Sequence, residues 1–155
     1  MKVGEFCTRH VSTIAPDADL REAARLMRNE HVGALVVVER SAGAMHPVGI
    51  LTDRDIVVSV IAVQGTAPEH IRVRDIMSDK LATIRDSDGF TEAVQAMFDR
   101  GVRRLPVLAA NGTLAGILTA DDLLRVVALQ LESVASALRR SGRVEAGTRR
   151  PLERS

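Results

Sequence analysis

The sequence has no tryptophan, no tyrosine and only three phenylalanines among 155 residues. Single-stranded nucleic acid is held by stacking its bases on aromatic rings, so that mode of binding lacks its material here. An excess of one charge is also missing. The 21 Lys and Arg stand against 20 Asp and Glu, a net of +1, which removes the broad basic field of a dedicated nucleic-acid binder. The single cysteine, Cys7, excludes an intramolecular disulfide and suits a reducing compartment. No apolar run reaches the roughly 18 residues of a membrane span, and the opening MKVGEFCTRH has no signal-peptide core. The expectation is a cytoplasmic protein that does not enter a membrane.

Parts for catalysis are short as well. No serine or cysteine sits in a nucleophile elbow, and Cys7 reads as a pocket or core residue. Glycines 33, 49, 65, 89, 101, 112 and 116 form no phosphate-loop pattern. Cys7-x-x-His10, with His31, His46 and His70, offers no second ligand pair at metal spacing, so the histidines read as incidental and no metal site is expected. The expectation is a protein that is not an enzyme and has no catalytic cofactor.

What the chain does have is a duplication. Residues 81–124 repeat residues 11–57 at an offset of 70, matching Thr13 to Thr83, Glu22 to Glu92, Met27 to Met97, Val32 to Val102 and Leu35 to Leu105. The register slips by three where ERSAGAMHP stands against AANGTL, after which GILTDRD (49–55) falls on GILTADD (116–122). Two copies of one unit imply pseudo-twofold symmetry and two equivalent clefts. Each copy, at some 50 to 60 residues, is marginal for a core of its own, so the two should pack as one folding unit.

Within a copy the pattern reads β-α-β-β-α, an α/β (α+β) class. Residues 11–14 form a brief strand. Asp19 then precedes Glu22 by three, as in a capping box, and Leu20, Ala23, Ala24 and Met27 follow at helical spacing; Phe90, Ala93, Val94 and Met97 copy them. The runs 34–38 (ALVVV) and 104–108 (RLPVL) suit buried strands, although Pro106 requires an edge or a register that does without its nitrogen. Asn111-Gly112 marks a turn into the last strand, and the DRD or ADD tripeptide opens the last helix. The expected divisions are a first repeat with its leader at 1–66, a linker and second repeat at 67–128 with VRDIM as a short helix, a helical extension at 129–140 and a disordered tail at 141–155. Leu124, Val127, Leu131, Val134 and Leu138, spaced 3, 4, 3, 4, form a heptad seam suited to a homodimer.

The chemistry-bearing motif is Thr-x-x-Asp at the two strand-to-helix junctions, Thr52 with Asp55 and Thr119 with Asp122. A helix N-terminus offers amide donors to a phosphate, the threonine hydroxyl adds another, and an aspartate accepts from ribose hydroxyls. The same spacing is equally a capping box that only satisfies the helix end. The arginines are distributed unevenly. Arg103 and Arg104 replace Gly33 and Ala34, while Arg54 stands where the other copy has Asp121. On this pattern Asp122 draws cations from Arg103, and Asp55 from Arg54, with Asp121 a liability for a polyphosphate. The Asp122 site is expected to hold AMP more tightly.

The paired GILT-x-x-D strands with the upstream run VRRLPVL resemble a tandem pair of CBS domains, the cystathionine-β-synthase-type repeats that build a Bateman module. The resemblance covers residues 7–127. It implies adenosine ligands such as AMP, ADP, ATP, NAD or S-adenosylmethionine between the repeats, with AMP favoured. It also implies one site with ribose and phosphate contacts from Thr119, Asp121, Asp122 and Arg103, beside Arg104, and adenine against Cys7, Ser12 and Val32. The symmetric site takes Thr52, Arg54, Asp55 and Gly33, with adenine against Met77, Ala82 and Val102. Repeat 1 departs from the family pattern at Val36, where proline is usual, and at Gly33-Ala34, which lack basic or polar side chains. The expected role is a stand-alone regulatory module that signals nucleotide occupancy to a protein effector in trans. Its rivals are an interaction module with vestigial clefts and, on the resemblance together with Arg143, Arg149, Arg150 and Arg154 in a mildly basic tail, a nucleic-acid binder.

Overall fold

Short runs rich in β-branched and other apolar side chains become the strands, and helical spacing marks the longer helices between them, so each copy folds as its pattern predicts. The computed structural model describes residues 1–63 and 67–148, in two units, Met1–Thr119 and a second that starts at Ala120. In the first unit, β1 (Thr13–Ile14), β2 (Ala34–Ser41) and β3 (Ala44–Thr52) form one sheet in the order β1-β2-β3. The second copy builds β4 (Ile84–Arg85), β5 (Arg104–Leu108) and β6 (Leu114–Thr119) into a sheet of the same order. In both sheets the first pair is parallel and the second antiparallel, with a register shift after Val37 or Val107. The extra residues of repeat 1 are spent on a longer hairpin, β2 and β3 pairing out to Ser41 and Ala44.

Pro106 lies in the central strand of its sheet and not at an edge. Val36, its counterpart, donates its amide to the Ser12 carbonyl at 3.0 Å. Proline has no such hydrogen, and β4 pairs with β5 only beyond it, at Val107 and Leu108.

Helix α2 (Leu20–Glu30) starts where Asp19 accepts the Glu22 amide at 2.8 Å and buries Leu20, Ala23 and Met27. Its copy α5 (Phe90–Arg100) buries Ala93 and Met97. Both end on a left-handed residue, Gly101 at φ 62° and His31 at φ 54°. Glycine meets no steric cost there, whereas histidine holds a conformation that its Cβ disfavours.

Two short helices decide how the copies join. Helix α1 (Val3–Phe6) precedes the first repeat, and α4 (Val73–Ile76) precedes the second. Each docks on the other copy. Val3 and Gly4 donate amides to the Asp88 and Asp86 carbonyls at 2.7 and 2.9 Å, while Val73 and Arg74 donate to Ala18 and Pro16 at 2.9 and 3.0 Å. The rings of Phe6 and Phe90 stand 6.4 Å apart. Val3 and Val73 are fully buried, and Val73 belongs to the core that Ile14, Leu20, Leu35 and Leu51 of repeat 1 form. Each repeat therefore completes its core with a valine from the segment ahead of the other.

Helix α3 (Asp53–Ile56) follows β3 and continues as a π-helical turn over Val57–Ile61. In the linker, Glu69 pairs with Arg21 at 3.1 Å. A hydrogen bond from its own backbone amide, aided by Arg21, holds the Glu69 carboxyl below its ordinary range. The second unit contains helix α6 (Ala120–Thr148), which extends past the end expected near Arg140 and takes in residues that had read as tail. Residues 149–155 lie outside the described range.

Candidate functional site: paired clefts between the repeats

The exchange of leading segments also positions the clefts. Beyond α1, Thr8 pairs with Ile117 of β6 through two 2.9 Å hydrogen bonds, and beyond α4, Ser78 pairs with Ile50 of β3 at 2.9 and 3.1 Å. These contacts bring backbone against backbone, and glycine permits them. A Cβ on Gly49 would lie 2.7 Å from the Met77 sulfur and 2.9 Å from the Ser78 carbonyl oxygen. One on Gly116 would lie 2.8 Å from the Thr8 oxygen and 2.9 Å from the Cys7 sulfur. Cys7 and Met77 thus occupy matching places against the partner copy's last strand.

Thr8 and Ser12 of the first copy, Val32 and Gly33 after α2, and Arg104, Ile117 and Thr119 of the second copy line a cleft of about 420 Å3. That is in the range of small-molecule sites. Of the residues assigned by resemblance to the Thr119 site, Ser12, Val32 and Thr119 come together, and Arg104, a candidate from the uneven spread of arginines, joins them. Cys7 and Arg103 are not among the lining residues. Gly33, assigned to the opposite site, lines this cleft, and its carbonyl also accepts the Asp53 amide at 3.1 Å. Val11, Ala34, His10, Glu30 and His31 complete the lining, with His10 Nε2 3.3 Å from Glu30 Oε2. Lys80, Arg100 and Gly101 stand at the places of His10, Glu30 and His31 in repeat 2, so no motif common to the two copies marks these residues, and the two histidines read only as incidental.

On the opposite side Thr52 and Asp55 form a complete capping box. The Thr52 amide and hydroxyl both donate to Asp55 Oδ2 at 2.8 Å, and the Asp55 amide donates back to Thr52 Oγ1 at 3.2 Å. Asp55 Oδ1 stays outside that exchange. Arg54 is exposed. Leu81, Ala82 and Arg100 line a groove beside α5, and Val102 is half-buried. In the second unit, Asp121 lies in the first turn of α6, and Asp122 is buried with Arg125 Nη1 at 3.4 Å from its Oδ1. Among the described residues no group of three His, Cys, Asp or Glu could hold a metal ion, and no helix is long and apolar enough to cross a membrane.

The CBS domain model matches residues 3–61 and 73–129. The chain belongs to the CBS-domain family. It is a tandem CBS pair, and the two matched segments start at the exchanged helices α1 and α4. An uncharacterised protein of Methanopyrus kandleri is 40% identical over 126 residues, which cover 81% of this chain and 62% of that protein. The CBS domain-containing protein YhcV of Bacillus subtilis is 36% identical over 138 residues, covering 88% of this chain and 91% of the relative. Among solved structures, the hexameric CBS-CP12 protein from bloom-forming cyanobacteria superposes with a TM-score of 0.70 at 29% identity, covering 93% of this CBS pair and 81% of that chain.

Proposed function

We propose that this CBS pair is a non-catalytic regulatory module that binds an adenosine nucleotide between its repeats, AMP before ADP, ATP, NAD or S-adenosylmethionine. In this reading it works as a homodimer and signals occupancy to a protein effector in trans. The observation that carries the reading is the lining of the Thr119 cleft. Val32 offers a small apolar wall for a base, Ser12 and Thr119 offer hydroxyls, and Arg104 is a cation within reach of a phosphate. Arg104 and Glu30 balance within the lining, and so low a net charge suits a monophosphate. A ligand shifts a conformational equilibrium only by its differential affinity for the two states, so the effector must distinguish the occupied form from the empty one.

The capping box at Thr52 and Asp55 favours a second reading for that half of the molecule, in which the motif serves the helix end alone and the protein is an interaction module. A thermal-shift panel separates the two. At 100 times its dissociation constant a ligand stabilises the native state by about 2.7 kcal/mol, which raises the melting temperature by several degrees for a domain of this size. AMP and other adenosine compounds should produce that shift, and GMP should not. Flat responses to every adenosine compound from folded, ligand-free protein would reject nucleotide binding in favour of the interaction module.

A further inference from the structure

Helix α6 outlasts the repeat it closes. The match to the CBS model ends at residue 129, whereas α6 runs on to Thr148, so Leu131, Val134 and Leu138 of the seam belong to an extension outside that match. All the seam side chains, from Leu124 to Leu138, are exposed. Leucine holds every a position of the seam and valine every d position. A parallel two-stranded pair prefers the reverse, a β-branched residue at a and leucine at d, because each position there packs against its own copy in the other chain. Chains that run in opposite directions bring a against d instead. Every layer of this seam then sets a leucine against a valine.

The charges along α6 point the same way. Asp121 and Glu132 are exposed in its first half, where Arg125 is engaged by Asp122 at 3.4 Å. Arg139, Arg140 and Arg143 are exposed in its second half, and Glu145 follows them in the sequence. The helix dipole favours acids at the start and bases at the end, but it acts only within the first and last turns. Glu132, Arg139 and Arg140 lie outside those turns. A parallel pair gathers the arginines of both chains at one end, whereas an antiparallel pair sets them beside the acidic start of the partner. Exposed charges are screened and add little energy, so they choose an orientation for a pair that the apolar seam holds together.

We propose that α6 pairs in the antiparallel sense with α6 of a second copy of this chain, about a twofold axis between Glu132 and Ser133. In that register Val127 meets the partner's Leu138, Leu131 meets the partner's Val134, and residues 120–145 of the two helices overlap. The neighbouring register that also sets leucine on valine, with Leu124 on the partner's Val134, leaves residues 139–148 of each chain without a helix to lie on. At 1.5 Å of rise per residue the starts of the two helices stand roughly 37 Å apart, whereas a parallel pair brings both starts to one end. The pairing does not depend on what the clefts bind.

Cross-linking of full-length chains tests the orientation. One chain with Leu124→Cys and another with Ser141→Cys are mixed in a glutathione redox buffer, and peptide mapping reads which thiols have joined, setting apart any link through the native Cys7. The antiparallel pair should give a link from position 124 to position 141 in the mixture and no self-link from either chain alone. Ala128→Cys and Ala135→Cys leave every leucine and valine of the seam in place. These two positions share one flank, so across an antiparallel pair they face each other and a short bis-maleimide should join them, while in a parallel pair that flank faces the opposite one. Either cross-chain link supports the antiparallel pairing. Ser141→Cys joined to itself, or dimeric mixtures that give neither cross-chain link, overturn it. An unsubstituted chain that light scattering finds monomeric overturns it as well.

Discussion

At the scale of single residues, the two glycines at the crossing of the copies are the sharpest requirement of the fold. Each faces a backbone oxygen, Ser78 O at Gly49 and Thr8 O at Gly116, closer than a Cβ can tolerate. A side chain could swing aside, but these oxygens are held in paired hydrogen bonds to Ile50 and Ile117. Gly49→Ala and Gly116→Ala should each destabilise the protein by about 1–3 kcal/mol, the usual range for forcing an extra carbon into a packed site. A urea titration would show this as a lower midpoint. An unchanged midpoint in both variants would mean that the leading segments are not held where the hydrogen bonds put them. The functional residues follow a different logic. Thr-x-x-Asp is legible in the sequence because it is duplicated, and the structure realises its plain capping form at Thr52. Glu30 went unread, and His10 and His31 read only as incidental histidines, because all three differ between the copies and belong to no shared motif.

At the scale of elements, the exchange of α1 and α4 makes the two repeats one cooperative body. Its sequence signal is weak. A four-residue helix has no periodicity to detect, and the contacts that place it join residues far apart in the chain, from Val3 to Asp88 or from Val73 to Ala18. The longer helices were legible for the opposite reason: α2 and α5 carry a full apolar face, and α2 has an Asp19 cap. Residues 141–148 read as tail because they carry no apolar period, yet they continue α6. Since Val73 completes the core of repeat 1, Val73→Ala should cost about 1–3 kcal/mol through lost burial and the cavity left behind. The loss should appear as one shifted unfolding transition for the whole first unit. Two separated transitions, with only one of them moved, would show that the repeats fold independently. By the same argument residues 1–66 produced alone should lack a cooperative transition.

At the scale of the whole molecule, the apolar surface left uncovered within one chain sets the last expectation. Along α6, Leu124, Leu131 and Leu138 are each about two-thirds exposed, and Val127 and Val134 are exposed between them. With leucine at the a positions and valine at d, the flanking e and g positions Ala128, Gln130, Ala135 and Ala137 carry no charge to repel a second copy. The first unit exposes Val57, Val58, Ile61 and Phe98 as well. Contiguous apolar surface of this kind is rare on proteins that stay monomeric. A symmetric pair of chains can bury it, because a twofold axis presents the same seam to itself. Light scattering at micromolar concentration should therefore return at least twice the monomer mass. Leu131→Glu with Leu138→Glu places two carboxylates in the seam, where a buried unpaired charge costs several kcal/mol. The variant should be a folded monomer with unchanged helical circular dichroism. A monomeric mass for the unsubstituted chain, with and without AMP, would reject self-association, and a double variant that stays dimeric would move the contact from α6 to the exposed residues of the first unit.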